Sequence, residues 1–492
     1  FSNAAAALSA DEQADYGIIQ NQIGLALLEL DRIQAYRHNP TLYVELIGNA
    51  LFTPYVLEYA PEPERARHVI ARLEKVPAFL ETAKANLVSS PGIWTSVAAE
   101  ENEGNLGLIE KTLREWIPAE QRDRYHRAAE PALAALRGFQ AYLKNDLARR
   151  DSYDWRLAPE LYNEKFRYVL ATDLTPEQVL AAAERDLDAV RARMAELARP
   201  QPVEAALNRI AARHAAPETY MPDARRDLAE AREFVRRHDI VTLPPRDNLQ
   251  VIETPEFMRG IYAVGGFSSA PALEPHLGAF YWITPIPPGW SRERIESKLR
   301  EYNFYKLKLL TIHEAMPGHY VQLEYANGLE PVARRVLRSI FGNGPYIEGW
   351  AQYATQVLLD EGYLNRAPEL RLTFQKEELR VLANAILDIR LHTKGMTDDE
   401  AMDLMLRRTY QEKEEAAAKL RRAKLSSCQL PTYLVGWRDW IRVRDHYRQA
   451  KAGGFEMREF HDRALRQGAV PLPLLARLLT GKPLEPAPQP GP

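Results

Sequence analysis

Apolar residues recur at spacings of three and four along most of this 492-residue chain, and this periodicity constrains its fold more than any other feature. The pattern runs from about Ala10 to His238 and again from about Ser291 to Leu479. Such spacing predicts amphipathic helices, and Thr175 followed by Pro176 supplies a typical helix start. The chain is therefore predicted to be mainly α.

The periodicity changes between about Thr242 and Trp290, where Pro and Gly are frequent and short β-type runs such as LQVIETP and GAFYWITP occur. We expect a small β-sheet near residues 245–290, set in a large multi-helix body with two lobes around a cleft. The expected divisions are an N-terminal helical lobe over 1–240, a β-containing segment over 241–298, a second helical lobe over 299–480 and a flexible Pro-rich tail over 481–492.

Charge and cysteine content narrow the possible functions. The chain has 64 basic and 67 acidic residues, which gives no electrostatic reason to expect nucleic acid as a partner. No apolar run approaches the roughly 20 residues that span a bilayer, so no membrane span is expected. Cys428 is the only cysteine, so any metal site must use His, Asp or Glu. The oligomeric state is left open.

The chain starts at Phe1 rather than Met and continues SNAAAALSADE. This start is typical either of a chain from which a secretory signal was removed or of a cloning boundary. A periplasmic or secreted location is expected in the first case, and a cytoplasmic one otherwise.

The most informative segment is KLKLLTIHEAMPGHYVQLEYANG, which carries His313, Glu314 and His319 within a helical pattern. In an HExxH motif the two histidines lie four residues apart on one helix face and bind the metal, and the Glu is the general base for the metal-bound water. Here the second histidine comes six residues later, and an unbroken helix would place the rings about 120° apart around its axis and about 9 Å apart along it. Pro317 and Gly318 can bend the backbone, so the motif predicts an HExxH site with two residues looped out.

Glu348 is the predicted third metal ligand. It lies 29 residues after His319, at the start of a strongly helical run that follows a Gly-Asn-Gly-Pro break. The alternative is that Glu348 is a first-turn acid that interacts with the helix dipole. Two histidines and one Glu would bind one zinc ion per chain and leave a position for water.

The segments HEAMPGHYVQ, EGWAQYA and FHDRALRQGAVPLPLL resemble the bacterial domain-of-unknown-function family 885 (DUF885), whose members resemble helical gluzincin-like metallopeptidases. The likeness covers the second half well, from ETPEFMRG onward, and the N-terminal helices loosely. It implies a bacterial protein with a mostly helical fold, a small sheet and a zinc-peptidase-like site at His313, Glu314, His319 and Glu348.

In this reading Glu314 takes a proton from water and passes it to the leaving amine, so that a peptide or small amide is hydrolysed. A second donor must stabilise the oxyanion, and either Tyr433, near a helix start, or His392 could supply it. Tyr433 could instead only pack its ring and expose its hydroxyl to water.

His392 belongs to a stripe with Arg380, Asn384 and Asp388, all four apart on one helix face, and Arg390 lies nearby. The resemblance implies a similar Asp and His in the family, which favours substrate contacts for Asp388, Arg390 and His392. The alternative is an Asp388–His392 pair on a solvated face.

The run GAFYWITPIPPGW alternates like a strand and could form a sheet edge beside the metal, where it would bind an extended peptide. Tyr281 would then contact substrate. In the alternative, a packed hairpin, Tyr281 and Trp282 would be core residues.

Two other functions fit the same residues. One is a catalytically inactive helical scaffold that keeps a metal for structure, and the other is a metal-dependent hydrolase of non-peptide amides or esters. The sequence contains no GxSxG motif and no Gly-rich phosphate loop, which argues against serine hydrolase and nucleotide-binding classes.

Overall fold

The computed structural model describes residues 8–254, 265–287 and 289–485. Parts of the predicted N-terminal front, of the ETPEFMRG segment and of the Pro-rich tail lie outside these residues. Within them the chain is mainly helical with one small sheet, as the periodicity predicts. No described helix is both long and apolar enough to cross a membrane.

The N-terminal helices run up to residue 145. They are α1 Ala10–Leu27, α2 Thr41–Val56, α3 Glu62–Leu73, α4 Val76–Asn86, α5 Gly92–Gly107, α6 Arg114–Trp116 and α7 Arg122–Asn145. Four helices and the strands follow: α8 Pro159–Leu170, α9 Pro176–Ala198, α10 Val203–Ala211, α11 Tyr220–Arg237, β1 Leu249–Glu253, β2 Gly265–Ser268 and β3 Ala279–Ile283. The predicted start of α9 is confirmed, because the Thr175 side chain and Gln178 form a reciprocal capping box.

The C-terminal helices form the rest of the body. They are α12 Arg292–Glu301, α13 Phe304–Glu314, α14 His319–Asn327, α15 Val332–Ile340, α16 Gly344–Asp360, α17 Pro368–Thr393, α18 Asp398–Asp403, α19 Lys413–Ala423, α20 Pro431–Ala450, α21 Met457–Leu465 and α22 Leu472–Thr480. Short π-helical segments, Leu28–Ile33, Leu108–Leu113 and Leu404–Arg408, and 3₁₀ segments, Ala35–Arg37, Ala119–Gln121, Leu147–Arg149 and Tyr363–Arg366, join or extend these helices.

The sheet has the order β1-β3-β2, with β1 parallel and β2 antiparallel to β3. The run AFYWI is therefore the central strand and is paired on both sides. The prediction that it forms a sheet edge is wrong, because β2, which the sequence analysis did not identify, covers its second side. All five residues of β3 are buried, as befits a strand with both faces packed.

Buried apolar side chains fall into two clusters. The N-terminal core is formed by residues between Tyr43 and Leu147, and the main core by residues between Leu157 and Leu479 together with three residues of the first 33. Strand β3 lies between them, because Ala279, Tyr281 and Ile283 belong to the main core whereas Phe280 and Trp282 belong to the N-terminal core. The predicted lobe boundaries at residues 240 and 298 stay predictions.

Candidate metal centre

The helix breaks between Glu314 and His319, where the sequence predicts a bend. Helix α13 ends at Glu314 and α14 begins at His319. The Gly318 amide donates a hydrogen bond to the Ile312 carbonyl at 2.9 Å, and a Cβ on Gly318 would lie 1.7 Å from the His313 carbonyl oxygen. Only glycine can make this close approach, so Gly318 lets the chain fold back and return His319 toward His313.

Trp350 holds this bend from the neighbouring helix. Its indole Nε1 donates to the carbonyl of Pro317 at 2.9 Å and approaches that of Gly318 at 3.2 Å, and the side chain is fully buried. Trp350 lies on α16 two residues after Glu348, so one helix both supplies the predicted third ligand and fixes the loop that positions the second histidine.

The three predicted ligands converge. Nε2 of His313 lies 3.6 Å and Nε2 of His319 lies 3.5 Å from Oε2 of Glu348, and the two imidazole rings are nearly perpendicular with centroids 4.8 Å apart. One potential ligand atom from each residue lies within 4.8 Å of the others. Among the residues that the structure describes, this is the one group of three or more His, Cys, Asp and Glu side chains with such geometry.

The spacing fits a shared ion better than direct hydrogen bonds. Ligand atoms about 2.1 Å from a tetrahedral zinc ion lie about 3.4 Å from one another, whereas hydrogen bonds between nitrogen and oxygen are usually shorter than about 3.2 Å. Oε2 of Glu348 is buried, and no hydrogen-bond partner for it exists among the described residues. Two imidazole nitrogens and a carboxylate oxygen are a ligand set that zinc prefers. The residues present therefore fit this metal.

The ligands also perturb one another electrostatically. Burial opposes the charged form of Glu348, but the two imidazoles more than offset this and hold the pKa of the carboxyl well below its usual range. Burial likewise opposes protonation of His319, yet the carboxylate of Glu348 raises the pKa of that imidazole. The cluster thus keeps a carboxylate charged in a largely enclosed position.

Glu314 and Tyr433 lie with His313 in the wall of one cavity of about 820 Å³. Glu314 is the last residue of α13, and its partly exposed side chain follows directly after the first histidine. Tyr433 lies in the first turn of α20, and burial followed by the charge of Glu348 raises the pKa of its hydroxyl, which stays protonated. The structure therefore brings the predicted base and one predicted oxyanion donor to the same space.

This cavity is lined by helices from both hydrophobic clusters. Its wall includes residues of α2 and α5, which contribute to the N-terminal core, and of α13, α16, α17, α19 and α20, which contribute to the main core. Its volume lies within the range of about 300 to 1,000 Å³ that is common for small-molecule sites.

Tyr281 lies behind the site rather than in it. The side chain is fully buried in β3, and its hydroxyl lies 3.2 Å from Oγ1 of Thr311 on α13. Tyr281 is on the face of β3 that packs against the main core, and it supports the helix that carries His313. The structure does not place it where substrate would reach it.

His392 and Asp388 are also packing residues. Nδ1 of His392 accepts from the Leu157 amide at 3.1 Å, so Nε2 carries the proton and donates to the Ser426 carbonyl at 3.2 Å. Asp388 is fully buried and accepts from the Tyr162 hydroxyl at 2.6 Å and from the Cys428 amide at 2.9 Å. Both side chains are buried, so neither is exposed to substrate.

Arg390 is exposed and forms an ion pair with Glu184 on α9. The stripe predicted on α17 is therefore divided: Arg380 and Asn384 line the cavity, while Asp388, Arg390 and His392 join α17 to neighbouring segments.

Two features of the site were missed by the sequence analysis. Trp350 was not singled out, although a Trp two residues after a ligand is a visible signal. Arg422, whose Nη2 lies 3.4 Å from the Tyr433 hydroxyl, occurs in an ordinary basic helix end, RRAK, and no spacing distinguishes it from other exposed arginines.

Two solved bacterial structures have the same fold as this chain. A solved structure of a predicted lipoprotein of unknown function from Shewanella oneidensis is similar at 30% identity with a TM-score of 0.78, over 96% of this chain and 88% of that one. A predicted lipoprotein from Colwellia psychrerythraea shares the fold at 17% identity with a TM-score of 0.72, over 96% and 99% of the two chains. No curated protein matches the chain significantly.

The resemblance to DUF885 that the motifs carry is confirmed across nearly the whole sequence. The model of the family described as bacterial protein of unknown function, DUF885, matches residues 2–479, and the chain belongs to this family.

Proposed function

We propose that this protein is a zinc-dependent metallopeptidase in which His313, His319 and Glu348 hold the metal and Glu314 is the general base. The observation that carries the proposal is the convergence of the three ligand atoms at 3.5 to 3.6 Å around a buried carboxylate oxygen, directly beside Glu314 in a cavity wall.

A zinc ion bound there would polarise the attacking water and the substrate carbonyl. The carboxylate of Glu314 would accept a proton from the water and then deliver it to the nitrogen of the leaving amine. The protonated hydroxyl of Tyr433 would donate a hydrogen bond to the oxygen that becomes negative during the attack. These two side chains share the cavity wall with His313, which supports their assignment to one reaction.

A structural metal site is usually closed by a fourth protein ligand. Among the described residues only His313, His319 and Glu348 converge, and a carboxylate that is not needed as a ligand, Glu314, follows the first histidine. This arrangement favours catalysis over a purely structural metal. Peptide as the substrate is supported by the resemblance of the family to helical metallopeptidases.

We further propose that the protein acts in the bacterial cell envelope. The support is the relative from Shewanella oneidensis, which is 30% identical over nearly the whole chain and is described as a predicted lipoprotein.

The test compares wild type with Glu314→Gln and Glu348→Gln after loading with zinc and removal of excess metal. We expect about one zinc per chain in wild type and in Glu314→Gln, and much weaker binding in Glu348→Gln. A mixture of random octapeptides should be hydrolysed by wild type only, as followed by mass spectrometry. Absence of bound zinc in wild type, or equal hydrolysis by Glu314→Gln, would contradict the proposal.

A further inference from the structure

The cavity beside the candidate metal centre has charged walls, and most of these charges are paired with one another. Arg380 forms an ion pair with Glu415, and Lys306 forms one with Glu377. Across the cavity, Arg421 lies 2.6 Å from Glu100 on α5. In each of these ion pairs the two side chains neutralise each other's charge, so neither of them needs a charged ligand.

Arg422 differs from these cations. Its Nη2 has two uncharged partners, Oε1 of Gln429 at 3.2 Å and the Tyr433 hydroxyl at 3.4 Å. Within the part of the chain that the structure describes, no carboxylate lies within ion-pair distance of it. The side chain is exposed, and it lines the cavity.

Lys419 lies one helical turn before Arg422 on α19 and lines the same cavity. Only 5% of this residue is exposed, and its Nζ donates to Oδ1 of Asn384 at 3.0 Å. Among the described side chains no carboxylate forms an ion pair with Lys419 either. A lysine that is buried with only an amide partner is costly, and a bound anion would reduce that cost.

Arg422 lies near two residues of the proposed reaction centre, Tyr433 and Glu348. The Tyr433 hydroxyl that it contacts is the proposed oxyanion donor, and Glu348 is close enough to act on both side chains electrostatically. A guanidinium presents several N–H donors in a planar fork that matches a carboxylate. A carboxylate held by Arg422 would therefore lie beside the group that receives the attack.

We infer that Arg422, assisted by Lys419, binds the C-terminal carboxylate of a peptide, so that the enzyme removes residues from the C-terminal end of short peptides. This inference rests on the proposed function and specifies its substrate class. In the reaction one water is consumed for each residue released: the C–N bond breaks, the acyl carbon takes the hydroxyl, and the leaving nitrogen takes the proton.

The experiment measures binding separately from turnover. Glu314→Gln protein, both metal-free and zinc-loaded, is equilibrated with equal amounts of random octapeptides as free acids and as C-terminal amides, and retained peptides are quantified by mass spectrometry. A charge-assisted hydrogen bond changes affinity by about tenfold to a hundredfold. We expect free acids to be retained over amides by at least about tenfold.

Arg422→Gln in the same background should reduce this ratio to about one, and Arg422→Lys should retain part of it because the charge remains. The matched control is Arg421→Gln, since Arg421 already has Glu100 as its partner; it should leave the ratio unchanged. Far-ultraviolet circular dichroism checks that each variant is folded.

Equal retention of acids and amides, including retention of neither, would overturn the inference, as would selection by internal Asp and Glu content. A wild-type enzyme that binds zinc and cleaves acids and amides equally, at internal bonds, would support the proposed function while excluding the C-terminal subsite. Selection of free acids by protein that binds no zinc would support the subsite and exclude the zinc mechanism.

Discussion

Gly349 on α16 meets Gly436 on α20 so closely that a Cβ on Gly349 would lie 2.3 Å from the Gly436 carbonyl carbon. The reverse addition, on Gly436, would place a Cβ 2.0 Å from the Pro345 carbonyl oxygen. Backbone therefore contacts backbone at this crossing. Because Glu348 precedes Gly349, and Tyr433 lies one turn before Gly436, the crossing brings the third ligand and the proposed oxyanion donor to the same end of the two helices.

We expect Gly349→Ala to lower the free energy of unfolding by about 3 kcal/mol, because the added methyl group must push two backbones apart. Zinc affinity should fall in the same variant, since Glu348 moves with α16. Urea unfolding and zinc titration measure the two effects. The control is Gly138→Ala in α7, where nothing lies within 4 Å of the added atom; it should stabilise the protein by about 1 kcal/mol. A loss below about 0.5 kcal/mol for Gly349→Ala would show that the crossing is not tight.

Trp350→Phe should weaken zinc binding more than it weakens the fold. Phe retains most of the aromatic packing but leaves the carbonyls of Pro317 and Gly318 without the indole donor, which costs about 1 to 3 kcal/mol. We expect the loop between His313 and His319 to relax and zinc affinity to fall about tenfold. Competition titration with a chelator measures this affinity.

The control for Trp350→Phe is Trp437→Phe, which loses the hydrogen bond from the indole Nε1 to Oε1 of Gln356 at 2.8 Å, away from the bend. Its unfolding free energy should decrease by a similar amount while zinc affinity stays unchanged. Equal zinc affinities in the two variants would contradict the role assigned to Trp350.

His392→Ala separates a structural role from a catalytic one. The substitution leaves the Leu157 amide and the Ser426 carbonyl without their partner, and we expect the free energy of unfolding to fall by about 3 kcal/mol. The kcat/KM per folded molecule should not change. Arg390→Ala, which breaks an exposed ion pair on the same helix, should cost less than about 1 kcal/mol. A specific loss of kcat in folded His392→Ala protein would restore the catalytic interpretation of the α17 stripe.

Glu101 on α5 should make the stability of the protein depend on pH. Burial, and then the nearby charge of Glu45, raises the pKa of its carboxyl from 4.5 to about 8. Between these two values the folded protein holds a proton that the unfolded chain has lost, so this group lowers the free energy of unfolding as the pH rises through the window.

Glu101→Gln cannot ionise, so its stability relative to wild type should increase from pH 4.5 to pH 8, by about 2 to 4 kcal/mol after allowance for solvent screening. Urea unfolding at several pH values measures the difference. Glu100→Gln, at an exposed residue that pairs with Arg421, is the control and should change stability by less than about 1 kcal/mol throughout. A difference between Glu101→Gln and wild type that does not vary with pH would contradict the prediction.

The helical class, the break between His313 and His319, and the three converging residues could be predicted from the sequence. Each of these depends on short-range physics: the period of apolar residues, the inability of Pro to continue a helix, and the freedom of glycine backbone. Each of these signals depends on residues that are close together in the sequence, within about the length of one helix. Glu348 could be predicted as the third metal ligand because the histidine motif required a further ligand, and Glu348 lies near the start of a following helix.

Which of the remaining candidates lie at the site depends on how distant segments of the chain pack together. Asp388 and His392 have the polar character of catalytic residues, but both are buried, and partners more than 30 residues away occupy both ring nitrogens of His392 and one carboxylate oxygen of Asp388. The central position of β3 depends on pairing with β2, which carries little local signal, and packing on both faces of β3 buries Tyr281. Arg422 and Lys419 became notable because no described carboxylate forms an ion pair with them, whereas Arg380, Lys306 and Arg421 each have such a partner. The spacing of residues along the chain does not predict these contacts, because they form between segments that are distant in the sequence.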